Sequence, residues 1–157
     1  MVDRICSAQW PASLTIESES YGAVVVQNLP GAEIPRTFEK TAAITARFQE
    51  KRILVNTYAD GIAFLGLSRG LEYLYQAAAS REINQAIAGY MKTARYFLQR
   101  VYSLEAENLN DMAEKHRARL ANPAIKRPLN TVARDFLRKI AGGRTIHLPA
   151  DRIAETR

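Results

Sequence analysis

Two histidines, one cysteine and a few closely spaced carboxylates are the residues whose types invite a chemical reading of this 157-residue chain. His116 stands in the charged run KHRAR and His147 in TIHL. Neither has a serine or cysteine nucleophile at a recognised spacing, so each reads as an ordinary surface or partly buried side chain. Cys6 is alone, which rules out an internal disulfide, and no CxxC or Cys/His cluster surrounds it to hold zinc. Glu105 and Glu107 are two apart and point away from each other on a helix, a poor acid/base pair. Asp111 and Glu114 are closer, but with Lys115 and Arg117 beside them they form a salt-bridged solvent face. The chain has neither a GxxxxGK[ST] loop nor a GxGxxG fingerprint, and Gly142-Gly143 falls where a helix cap would sit. This inventory predicts a protein that is not an enzyme, without metal or cofactor.

Charge gives a more positive signal. Residues 1–50 hold four basic and six acidic side chains, residues 51–110 seven and five, and residues 111–157 eleven and five. The net +6 therefore comes from the last third, the footprint of a surface that meets phosphates. Lys126, Arg127, Arg134, Arg138 and Lys139 are its candidate phosphate contacts. The N-terminus lacks the pattern of a signal peptide, and no run reaches the roughly 18 apolar residues of a membrane span. The chain reads as cytoplasmic, with no membrane partner.

The elements that would position these residues are mainly α with a small β component, in a single domain over 1–157. Residues 1–35 read as a β-hairpin and linker: Leu14–Glu17 and Ala23–Gln27 favour strands, and Pro30, Gly31 and Pro35 then break regular structure. Residues 36–121 read as a helical core. Ile53, Leu54, Tyr58, Ile62 and Leu65 recur at helical spacing, and a longer stripe of Ile83, Ile87, Tyr90, Met91, Ala94, Phe97, Leu98, Val101 and Tyr102 predicts a long central helix over about 81–107. A shorter helix covers Asp111–Leu120. Residues 122–157 read as a basic C-terminal helix and tail, the helix running from an Asn130 N-cap to Ala141, with a short strand at Thr145–Leu148.

Ile44–Gln49 alternates, with Ile44, Ala46 and Phe48 on one side and Thr45, Arg47 and Gln49 on the other. A helical pattern follows, then Leu65-Gly66-Leu67-Ser68-Arg69, in which a glycine turn leads to a serine able to cap a second helix. Over 44–79 this order resembles the ribbon-helix-helix family of transcriptional regulators. The resemblance implies a homodimer whose paired strands lie in the major groove of double-stranded DNA, with Thr45, Arg47 and Gln49 on base edges and Ser68 and Arg69 at a phosphate. It further implies a dimer core of Ile53, Leu54, Tyr58, Ile62, Leu71, Leu74 and Tyr75. Alternatives stay open: 42–79 is simply helix or holds a helix-turn-helix, the chain is a helical nucleic-acid-binding subunit without sequence preference, it is a helical protein-protein adaptor, or distant residues assemble an active site. The leading expectation is a DNA-binding transcriptional regulator.

Overall fold

The computed structural model describes residues 5–7, 16–18, 24–28, 30–31, 33–36 and 38–141. Their architecture is mainly α with a small β component. They fall into two compact units, 1–47 and 48–157.

In the first unit, β1 (Ile5–Ser7) pairs antiparallel with β2 (Ile16–Ser18) in the register Ile5 to Ser18. β3 (Val25–Gln27) instead pairs parallel with β4 (Glu39–Thr41), Val25 opposite Glu39. The predicted hairpin between 14–17 and 23–27 is thus corrected: each run has a different partner. Gly31, at φ +77°, lies in the link between the parallel strands. Thr41 Oγ1 accepts from the Ala43 amide at 3.0 Å, just before α1 (Ile44–Glu50) begins. The alternating segment is therefore helical. No strand is present at Thr45, Arg47 and Gln49 to form a ribbon, and Arg47 Nη2 lies 2.9 Å from Glu39 Oε1.

The second unit is built around α2 (Thr57–Leu67), preceded by a π-helical turn at Lys51–Asn56. α2 packs against α3 (Leu74–Ala79), α4 (Arg81–Tyr102) and α6 (Leu129–Ala133). The spine α4 starts where Ser80 Oγ accepts from the Ile83 amide. It buries Ile83, Ile87, Met91, Ala94 and Leu98, the three-to-four spacing of a core-facing stripe. It stops at Ser103, which takes a left-handed conformation at φ 53°, so α5 (Ala106–Leu120) begins earlier than the sequence suggested. The core is contributed by the chain itself: Leu54, Tyr58, Ile62 and Leu74, implied above as a dimer seam, are buried with Leu109, Leu129 and Val132.

Two glycines of α2 serve packing. A Cβ at Gly66 would lie 2.9 Å from Ala77 Cβ and 2.8 Å from Leu129 Cδ1; at Gly61 it would meet only the end of the Ile87 side chain, Cδ1 at 2.4 Å. The turn expected at Gly66 comes four residues later, at Gly70 with φ +72°. Ser68 consequently ends α2 rather than starting a helix. Its amide donates to Phe64 O at 3.0 Å and its hydroxyl to Leu65 O at 2.8 Å, while Arg69 Nη1 reaches the same carbonyl at 3.1 Å. A phosphate site at a Ser68 helix N-terminus is thereby excluded. The link to α3 is tied to the segment before α6 by Leu74 N to Arg127 O and Leu129 N to Glu72 O, each 2.9 Å.

The expected helix from Asn130 to Ala141 is two helices. α6 is flanked by Pro128, not capped by Asn130, and Asp135 at φ 60° separates it from α7 (Phe136–Ala141). The strand expected at Thr145–Leu148, His147 and Gly142-Gly143 lie outside the described residues. Among the described residues no helix is long and apolar enough to cross a membrane.

Candidate functional site

The π turn is the local feature that departs furthest from what sequence dictates, and such turns occur frequently at functional sites. Its signature is the Thr57 amide bonding to Arg52 O, five residues back, and Thr57 Oγ1 donates to the same carbonyl at 3.1 Å. Leu54 and Val55 anchor the turn in the core. His116 of α5 steadies it from the side: Nε2 is 3.1 Å from Val55 O, and because a carbonyl can only accept, Nε2 carries the proton. His116 is therefore a buried structural histidine, packed edge-on against Tyr58.

The widened turn changes which residues share a face. In an α-helix, residues five apart lie about 140° around the axis from each other. Five-residue bonding brings such positions over one another instead, so Lys51 and Asn56, both half-buried, share a side of the backbone. One α-helical turn beyond Asn56 stands Asp60.

Asp60 is 5% exposed, and its Oδ1 accepts from Lys139 Nζ at 2.7 Å; Lys139, itself 8% exposed, also donates to Val132 O. Asp60 Oδ2 is buried with no hydrogen-bond partner among the described residues. A buried carboxylate oxygen left in this way marks either a functional position or a place for a hydroxyl or water. Thr57 and Glu50 add further buried polar groups around the turn. Thr57 hydrogen-bonds the Tyr90 hydroxyl, whose pKa burial raises and this bond partly lowers.

The residues singled out from sequence do not converge here. Lys139 is the exception, but it is buried in an ion pair and therefore not a surface phosphate contact. Arg138 pairs with Asp135 at 2.8 Å, and that guanidinium holds the Asp135 carboxyl below its usual pKa. Lys126, Arg127 and Arg134 are exposed. Lys51, Asn56 and Asp60 were missed; the one available signal was a carboxylate inside the apolar run Tyr58–Phe64. Among the described residues no group of three or more His, Cys, Asp or Glu could hold a metal ion.

No protein-family model matches the chain. Curated proteins with detectable similarity include dehydrogenases, that is, oxidoreductases. They are named mannitol-1-phosphate 5-dehydrogenase. The one from Aureobasidium melanogenum is 27% identical over 112 residues, 71% of this chain and 29% of the relative. That of Caldanaerobacter subterraneus subsp. tengcongensis is 30% identical over 93 residues, 59% of this chain and 24% of the relative. That of Podospora anserina is 24% identical over 159 residues, 98% of this chain and 40% of the relative. The chain thus spans well under half the length of these relatives. The likeness overturns the expectation of a non-enzymatic DNA-binding regulator with double-stranded DNA as partner: these relatives are enzymes named for a small phosphorylated polyol.

Proposed function

We propose that this chain is the helical, polyol-handling part of an oxidoreductase acting on a phosphorylated sugar alcohol, with the Lys51–Asn56 turn as its substrate face. The observation that carries the reading is the π turn, which aligns a half-buried amine and a half-buried amide in a chain similar to mannitol-1-phosphate 5-dehydrogenases. Oxidising an alcohol sends a hydride from carbon to an acceptor and the hydroxyl proton to a base. In this reading Lys51, acting as the neutral amine, takes the proton to become the ammonium, and Asn56 fixes the hydroxyl. Asp60, a turn farther on, is buried and holds Lys139 in place behind this face. A dinucleotide that accepts hydride is typically held by a Gly-rich turn between a strand and a helix. The described residues contain no such turn, so no step is assigned to a cofactor bound by this chain.

The test is calorimetric titration of the full chain with mannitol 1-phosphate. The parent should bind saturably, and Asn56→Ala should weaken binding roughly tenfold, the loss expected for one hydrogen bond in a partly buried site. Absence of saturable binding, or equal affinity in Lys51→Met and Asn56→Ala, would sink the assignment.

A further inference from the structure

A hollow of about 170 Å³ opens between the π turn, α2, α4 and α5, its apolar wall made by Leu54, Ile87, Met91 and Ala113. Tyr58 and Asn84 line its inner part, with Arg95, Glu114, Arg117 and the exposed Ala88 nearer its mouth. At about 30 Å³ per water, it holds roughly five or six solvent molecules, or the head of a small organic ligand.

The inner pair has a fixed polarity. Asn84 Nδ2 donates to Ala78 O at 2.7 Å and to Ser80 O at 2.8 Å, which settles the amide orientation. Asn84 Oδ1 is then an acceptor, and Tyr58 donates to it at 2.7 Å. Burial pushes the Tyr58 hydroxyl up to about 12, with Arg117 opposing and Glu114 reinforcing the shift, so the proton stays on Tyr58. With its hydrogen committed to Asn84, Tyr58 has only lone pairs left to offer a ligand.

The charged part is incompletely paired. Arg117 meets Glu114 only at 3.8 Å, with both side chains more than half exposed, a weak pair in water. Arg95 is half-buried and makes no hydrogen bond or ion pair among the described residues. A guanidinium held in a hollow without a partner has a planar donor fork suited to carboxylate or phosphate oxygens. The geometry points to a binding site for a small hydroxylated oxyanion, its charged group on Arg95 and Arg117 and its hydroxyl donating to Tyr58. Nothing in this assignment depends on the role given to Lys51 and Asn56.

The test titrates the full chain with glycerate and with glycerol 3-phosphate, followed by calorimetry and by the rise in melting temperature. At least one should bind saturably, and the preferred ligand tells whether the site takes a carboxylate or a phosphate. Arg95→Gln should weaken that binding roughly tenfold or more, as loss of a charge-assisted contact does, while Arg100→Gln, whose guanidinium lies over Tyr96, should not. Ala88→Leu, which narrows the mouth and leaves every charge in place, should also reduce binding. Because Arg95 bonds to no other described group, Arg95→Gln should melt like the parent without ligand. Lack of saturable binding by either ligand, or parental affinity in Arg95→Gln, would overturn the assignment. Parental binding in Lys51→Met separates this site from the proposed substrate face; a loss there would overturn their independence.

Discussion

On the α6–α7 flank of α2, Asp60 and Lys139 are both more than nine-tenths buried and lie 2.7 Å apart; on the α4–α5 flank, Arg95 has no partner among the described residues and Arg117 reaches its carboxylate only at 3.8 Å. The first flank also carries Gly66, where helices approach so closely that a Cβ has no room. The second has Gly61, opposed only by the end of the Ile87 side chain. The contrast separates charges that secure the fold from charges left for solvent or a ligand. A buried ion pair, once half removed, is costly, whereas an open, half-paired arginine loses little stability when changed.

The largest expected effect is therefore on the tight flank. Lys139→Ala leaves Asp60 buried without its cation and should cost about 3–5 kcal/mol in urea unfolding. Replacing both partners, as in Asp60→Leu with Lys139→Met, should recover most of that loss. If Lys139→Ala unfolded like the parent, the ion pair would not be a structural tie.

Gly66→Ala comes next, at about 1–3 kcal/mol, because Ala77 and Leu129 must move. Gly61→Ala should be near neutral: displacing the end of Ile87 is offset by the roughly 1 kcal/mol that alanine gains over glycine in a helix. Equal costs at the two positions would erase the difference between the flanks.

The smallest effect is on the open flank and depends on pH. Tyr58 is pushed up from 10.0 to about 12 in the folded protein, so the folded state holds its proton more firmly than the unfolded chain. That contribution is fully present below pH 10 and is lost as pH rises toward about 12. Alkaline unfolding should be shallower in Tyr58→Phe across this window. An identical pH profile would show that Tyr58 does not contribute there.

Much of the helical core was legible because the apolar residues of α4 recur with one period, and the charges beside them are solvated. Where α4 ends was not, since Ser103 carries no sign of its left-handed backbone; the same holds for Asp135, which splits the C-terminal helix. Ile44–Gln49 misled because six alternating residues fit a strand and a helix alike. Gly66 read as a turn because glycine serves both turns and close contacts, and the contact with Ala77 and Leu129 exists only in three dimensions. The basic last third was counted as surface, yet Lys139 turns inward to a carboxylate 79 positions away. The candidate site was the least legible part: a π turn leaves no compositional trace, and it alone brings Lys51 and Asn56 to one side.

The most direct test of the central claim is to map mannitol 1-phosphate onto the full chain by backbone amide chemical shifts. The proposed substrate face requires the largest saturable changes to fall on Lys51, Arg52, Asn56 and Thr57, with smaller ones at Lys139. Changes confined to the exposed basic residues 126–138, or to Arg95 and its neighbours, would contradict it and separate phosphate attraction from recognition at the π turn.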